Sequence, residues 1–150
     1  MLAIIISLLL SFSAFGGEQT VEVRPQVKAF EQYWGKTTSS ISLAKKIRVK
    51  GVIAPIAKCV HGKKEIYISE SWWSGANEFQ KEVLIFHELA HCEWDLGHVT
   101  AKLPFSKCPF SVMDKNIMST RCWKEKRDYY IIQLELMRRE RAAYGIRRSR

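Results

Sequence analysis

The sequence lacks the features that would place it outside the ordinary globular domains. Glycine occurs 8 times and proline 4 times in 150 residues, too rarely for a collagenous or low-complexity chain. The longest apolar stretch, residues 2–15, is shorter than the roughly 20 residues of a membrane-spanning helix. The C-x-x-C motif does not occur, which argues against a cysteine-based zinc site or a redox motif.

Acidic residues are also scarce. The 15 Asp and Glu residues stand against 24 Lys and Arg, which gives a formal charge of +9 and favours acidic over basic partners. The excess is strongest in residues 121–150, with 10 basic and 4 acidic side chains. Aromatic and basic residues do not alternate there as in a nucleic-acid groove, so we predict no nucleic-acid partner. A basic surface for anionic lipid or cell-wall polymer stays open as an alternative.

The first residues are typical of a secretory signal peptide. Residues 2–15 form an uncharged run rich in Leu and Ile, and Ala14-Phe15-Gly16 supplies a small-x-small cleavage site. Such a run suits the apolar region of a signal peptide, which spans about 7–15 residues. We predict that residues 1–16 are a removed signal peptide, that residues 17–150 form one domain, and that this domain is periplasmic or extracellular without a stable membrane span.

Four cysteines occur in the chain: Cys59, Cys92, Cys108 and Cys122. An even number in an exported chain favours disulfide bonds. We predict a Cys108–Cys122 bond, which closes a loop of moderate size. Cys59 and Cys92 are then either paired with each other or buried as free thiols.

Residue periodicity predicts an α+β domain. A helix is expected over residues 25–34, a polar connector over residues 37–42, and strand segments over residues 47–54. The two runs Ala57–Val60 and Glu65–Ser69 indicate a hairpin with His61 in its turn, and residues 99–112 a loop. A long helix is expected from Trp123 onwards, with Tyr130, Leu134 and Met137 on its core face. The prediction is a small mixed or antiparallel sheet, a central helix and a long C-terminal helix.

The central helix is predicted over Glu78–Trp94. Asn77 is a suitable N-cap, and Gln80 three residues later completes a capping box. Apolar residues cover most of its circumference, with one face formed by Phe79, Val83, Phe86 and Ala90, so the helix is expected to be buried. Two histidines and a glutamate in such a helix need something that pairs with them.

These polar residues are His87 and His91, four residues apart, and Glu88 between them. Imidazoles at this spacing leave the same helix face and can reach one zinc ion. Glu88 lies about 100° round the helix, where it can contact water beside the metal. His98, directly after Gly97, is the leading third ligand, because glycine lets the chain leave the helix sharply. Glu125 remains the alternative third ligand.

The stretch from His87-Glu88-Leu89-Ala90-His91 through Gly97-His98 to Ser111-Val112-Met113 resembles small secreted bacterial zinc metallopeptidases of the zincin type. More loosely it resembles metzincins, in which the third histidine follows the second by six residues rather than seven. The resemblance implies a zincin-like fold, zinc ligands His87, His91 and His98, and Glu88 as general base. It also implies that Met113 (or Met118) lies beneath the site and that strand Glu65–Ser69 is the sheet edge on which substrate pairs.

This resemblance implies a zinc-dependent peptidase that acts on a protein or peptide substrate, with one catalytic Zn²⁺ ion. We also expect the chain to be a monomer. Tyr67, Tyr129 and Tyr130 are candidates for the hydrogen-bond donor to the developing oxyanion. The alternative function is a non-catalytic, zinc-stabilised or basic surface-binding module. Glu88 argues against that alternative, because structural zinc sites use four protein ligands and need no base.

Overall fold

The computed structural model describes residues 21–45, 48–49, 52–53 and 56–148, so the predicted signal peptide lies outside the described residues. Four α-helices are present in this part of the chain: α1 (Arg24–Trp34), α2 (Glu70–Gly75), α3 (Glu78–Trp94) and α4 (Thr120–Arg148). They are combined with five short strands: β1 (Ser40–Ala44), β2 (Arg48–Val49), β3 (Val52–Ile53), β4 (Ala57–Val60) and β5 (Glu65–Ser69). The predicted α+β class is confirmed.

The main sheet is small and mixed. Its strand order is β1-β5-β4, with β1 parallel and β4 antiparallel to β5. The predicted hairpin of β4 and β5 is therefore confirmed, and its turn is a short 3-10 segment over His61–Lys63. β5 is the middle strand, so its expected position at the sheet edge is wrong, and among the described strands β4 forms the edge beside it.

Strand β1 was not expected, since residues 37–42 were predicted to be a polar connector. Ile41 is buried and Leu43 is half-buried on alternate positions, while serines occupy the positions between them. Only two large apolar side chains mark this strand, and its partner β5 lies 25 residues later in the pairing of Ser40 with Glu65. Strands β2 and β3 form a separate antiparallel pair, and the other residues predicted to extend them lie outside the described residues.

Helix α3 occupies the centre of the domain and has the predicted bounds. The Asn77 side chain accepts from the Gln80 backbone N–H, and the Gln80 side chain accepts from the Asn77 backbone N–H, which completes the capping box. All residues from Val83 to Ala90 are buried, because the helix packs against β4 and β5 and between α1 and α4. The side chains on this stretch are therefore enclosed by residues of the neighbouring strands and helices.

Aromatic rings join the three longest helices. The Phe86 ring of α3 lies 5.4 Å from the Phe30 ring of α1 and 5.5 Å from the Trp123 ring of α4, both edge to face. α4 also buries Tyr130 and Leu134 and half-buries Met137, as its periodicity predicts. Within the described residues, no helix is both long enough and apolar enough to span a membrane.

Two disulfide bonds connect the loops and the sheet to the helices. The predicted Cys108–Cys122 bond is confirmed and ties the segment before α4 to that helix. The second bond joins Cys59 on β4 to Cys92 on α3, which settles the alternative left open for this pair. Both bonds are consistent with an exported protein.

The carboxylate of Glu93 fixes the start of β1 against α3. It accepts hydrogen bonds from the backbone N–H groups of Thr38 and Ser39, at 2.8 and 2.7 Å, and from both of their hydroxyl groups. The Lys64 ammonium group lies 3.4 Å from the same Glu93 carboxylate. Burial disfavours the charged carboxylate, but the Ser39 and Thr38 hydrogen bonds outweigh this and lower the pKa of Glu93 below its ordinary value of 4.5.

We expect Glu93→Gln to lower the free energy of unfolding at pH 7 by about 1–3 kcal/mol, because hydrogen bonds to a charged group are lost. A lowered pKa in the folded state stabilises the protein above the unfolded pKa near 4.5, and this contribution disappears as the pH falls through the folded pKa. The deficit of the variant should therefore shrink below pH 4.5 in urea titrations at several pH values.

The matched control is Glu125→Gln, which removes an exposed i,i+4 pair with Arg121 and should change the free energy of unfolding by less than about 0.5 kcal/mol. A Glu93→Gln deficit that stayed constant from pH 7 to pH 3 would contradict the assignment.

Candidate metal centre

Three imidazole rings meet at one end of helix α3. His87 and His91 lie one helical turn apart, and their Nε2 atoms are 3.0 Å from each other. The Nε2 atom of His98 lies 3.2 Å from that of His87 and 3.1 Å from that of His91. The three residues form a group that can hold a metal ion, and they are the residues that the sequence predicts as ligands.

Helix α3 ends in a left-handed turn at Asp95, which brings the following residues back alongside the helix. This residue has φ 53° and ψ 39°, and its N–H bonds to the His91 carbonyl oxygen while that of Leu96 bonds to the Ala90 carbonyl oxygen. Gly97 was expected to make this exit, but its φ is not positive and nothing lies within 4 Å of an added Cβ. Asp95, which tolerates the left-handed region better than most residues, makes the turn instead.

Backbone carbonyl groups fix which ring nitrogen faces the centre. The Nδ1 atom of His87 lies 2.9 Å from the Val112 carbonyl oxygen, and that of His91 lies 2.5 Å from the Leu96 carbonyl oxygen. A carbonyl oxygen only accepts hydrogen bonds, so both Nδ1 atoms must carry the proton. The Nε2 atoms of these neutral rings then present lone pairs, as metal-ligating histidines do.

Lone pairs that face each other at about 3 Å repel unless a cation lies between them. Nitrogen ligands of a tetrahedral zinc ion, at about 2.0–2.1 Å from the metal, lie about 3.3–3.4 Å apart. The three Nε2 separations, 3.0 to 3.2 Å, come close to that arrangement. The donor set and its spacing therefore fit a metal ion held from one side.

Burial keeps two of the imidazoles uncharged. It lowers the pKa of His87 to about 4, an effect partly opposed by the hydrogen bond to Val112. Burial also lowers the pKa of His91, although the Leu96 carbonyl opposes it. Both rings are therefore neutral at pH 7, which is the form that binds metals.

Glu88 lies beside the three rings without belonging to their donor group. It is 6% exposed, and burial raises its pKa to about 7, against a backbone hydrogen bond from Cys59 on β4. The structure thus places one carboxyl group between the helix that carries the rings and the edge strand of the sheet.

A cleft of about 520 Å³ opens onto this group of residues. Its apolar wall consists of Ile56, Ala57, Leu84, Leu96 and Ile117. Besides the three imidazoles and Glu88, the cleft is bordered by His61, Asp95 and Lys115, which the sequence did not single out for this site. Glu88 and all three rings therefore face a space that solvent and a ligand can enter.

The segment around Met113 contacts the centre through a backbone carbonyl group. The Ser111 hydroxyl group accepts from the Met113 N–H at 3.0 Å and donates to the Gln133 side chain of α4 at 2.8 Å. This turn directs the Val112 carbonyl group to His87. Met113 is fully buried next to that carbonyl, and Met118 is also buried.

Other residues considered from the sequence lie elsewhere. Glu125, the alternative third ligand, is exposed and pairs with Arg121 at 2.8 Å. The Tyr67 hydroxyl group donates to Glu65, while those of Tyr129 and Tyr130 donate to backbone carbonyl groups of the loop before Ser111. None of these tyrosines borders the cleft.

Comparisons with known protein families, with curated proteins and with solved structures found no match.

We expect His98→Ala to weaken metal binding by more than the 10- to 100-fold that follows loss of a ligand's hydrogen-bonding partner, because a direct ligand is removed. Calorimetric titration of the metal-free protein with Zn²⁺ measures this. Glu125→Ala is the control and should bind the ion as the wild type does. The reverse result, with Glu125→Ala impaired and His98→Ala intact, would contradict the three-histidine assignment.

Proposed function

We propose that this chain is an exported zinc-dependent peptidase of the zincin type. The observation that supports this most strongly is the combination of three converging imidazole Nε2 atoms with a buried carboxyl group that is not one of the ligands. His87, His91 and His98 hold the ion in this proposal, and Glu88 is the general base. Three ligands and an open position are typical of catalytic zinc sites, whereas structural sites use four protein ligands.

The donor set is compatible with the proposed zinc ion. Imidazole suits zinc, copper, nickel and iron, and three imidazole ligands without thiolate or a further carboxylate would leave the full charge of the ion in place. When bound, such an ion acts as a Lewis acid that polarises a carbonyl group and makes water more acidic.

Glu88 holds and moves the proton in this mechanism. Its carboxyl group borders the cleft beside His87 and His91, so it can accept a proton from an attacking water molecule. The same oxygen can then deliver that proton to the leaving amine. The apolar cleft wall and the edge strand restrict the water around this carboxyl group.

Strand β4 supplies a surface for an extended peptide. In the part of the chain that the structure describes, β4 pairs with β5 on one side only, and residues 57–59 border the cleft. An extended substrate can add to such an edge as a further strand. Its scissile bond would then lie over the three imidazoles, and this assignment replaces β5 as the expected substrate strand.

Export and the zincin-like fold belong to the same proposal. The signal peptide predicted over residues 1–16 and the two disulfide bonds support an oxidising compartment. The central helix α3, packed behind a mixed sheet whose edge borders the cleft, supports a zincin-like arrangement.

We expect Glu88→Gln to keep one equivalent of zinc but to lower the rate of peptide hydrolysis by about 10²- to 10⁴-fold, since an amide of the same shape cannot take the proton. Cleavage of unfolded casein with and without a chelator, together with zinc analysis, measures both effects. Glu125→Gln should cleave like the wild type. Hydrolysis by Glu88→Gln at the wild-type rate would refute the role of Glu88.

A further inference from the structure

The charged side chains that border the cleft differ in whether they have a partner in the protein. Two acidic side chains border it, Glu88 and Asp95, and the second is already paired. Its carboxylate lies 3.4 Å from Nδ1 of His61 and also contacts the Arg141 guanidinium of α4. Asp95 is therefore not available to attract a cationic ligand.

Lys115 is the opposite case. It borders the cleft and is exposed, and among the described residues no acidic group lies within ion-pair distance of it. The neighbouring Asp114 is buried, accepts a hydrogen bond from the Asn116 N–H at 2.9 Å and lies 3.7 Å from Lys102. Lys115 thus borders the cleft without a protein counter-charge among the described residues.

Lys58 also belongs to the cleft wall, but its side chain does not compete for this role. Cys59 is bonded to Cys92 of α3, so the side chain of Cys59 points to the helix side of the sheet. Successive side chains of a strand point to opposite faces of the sheet. The Lys58 side chain therefore lies on the face that is turned away from the metal centre.

We propose that the cleft selects substrates that carry a carboxylate close to the scissile bond, and that Lys115 binds this carboxylate. The inference rests on the proposed peptidase function, and it names the substrate class. A metal ion at the three imidazoles adds further positive charge, as does the net charge of +9, and both attract an anionic ligand. The carboxylate belongs either to an acidic side chain or to the C-terminus of a peptide.

The test uses four peptides of one sequence that combine Glu or Gln beside the scissile bond with a C-terminal acid or amide. We expect zinc-loaded wild type to prefer one carboxylate-bearing peptide by about fivefold in kcat/KM, as for a partly exposed ion pair. The Glu/Gln pair and the acid/amide pair identify which carboxylate is read. Lys115→Gln should abolish the preference, and Lys107→Gln, an exposed lysine outside the cleft, should retain it.

Binding is measured separately from cleavage. Fluorescence anisotropy of the same labelled peptides on the Glu88→Gln protein, with and without zinc, should show the preference without turnover and its weakening in higher salt. A binding preference that Lys115→Gln removes would support the inference even if no peptide were cleaved, in which case the proposed function fails alone.

Three results would overturn the inference. Cleavage of all four peptides at equal rates would leave the peptidase function in place and refute the substrate class. A preference that persists in Lys115→Gln would refute the role of this residue. Absence of both binding and cleavage with every peptide would refute the inference and the proposed function together.

Discussion

The two hydrogen bonds from imidazole Nδ1–H groups to the carbonyl groups of Val112 and Leu96 determine how the centre is arranged. Each bond fixes a tautomer and a ring orientation together, and thereby turns a lone pair of Nε2 towards a common point. One carbonyl comes from the turn that contains Met113, and the other from the residue after Asp95. The loop between α3 and α4 therefore supplies both of these carbonyl groups and also His98.

The packing around α3 holds the histidines and the two carbonyl groups in position. The helix is buried over Val83–Ala90 and contacts the sheet on one side and α1 and α4 on the other. Glu93 holds the start of β1, the Cys59–Cys92 bond holds β4, and Ser111 connects the supporting turn to Gln133 of α4. These three connections come from separate elements. Two of them reach α3 directly after His91, and the third holds the segment whose carbonyl group orients His87.

The sequence was sufficient where the signals are local. The capping box at Asn77 and the apolar circumference define α3, the i,i+4 spacing brings His87 and His91 to one face, and the loop length favours Cys108–Cys122. Features that depend on distant partners were missed. Strand β1 has only two large apolar side chains and is fixed by Glu93, 54 residues after Ser39. Asp95 rather than Gly97 makes the turn, and the contact of its side chain with Arg141, 46 residues away, is not visible in the local sequence.

The Cys59–Cys92 bond has a consequence for biogenesis. It joins the residue directly after His91 to the residue whose backbone N–H faces Glu88. The bond therefore ties strand β4 to the helix that carries His87 and His91, next to Glu88. In a reducing compartment that keeps both sulfur atoms as thiols, strand β4 would be held against the helix by packing and hydrogen bonding alone, so the export that we propose would also supply the oxidising conditions that fasten this cleft wall.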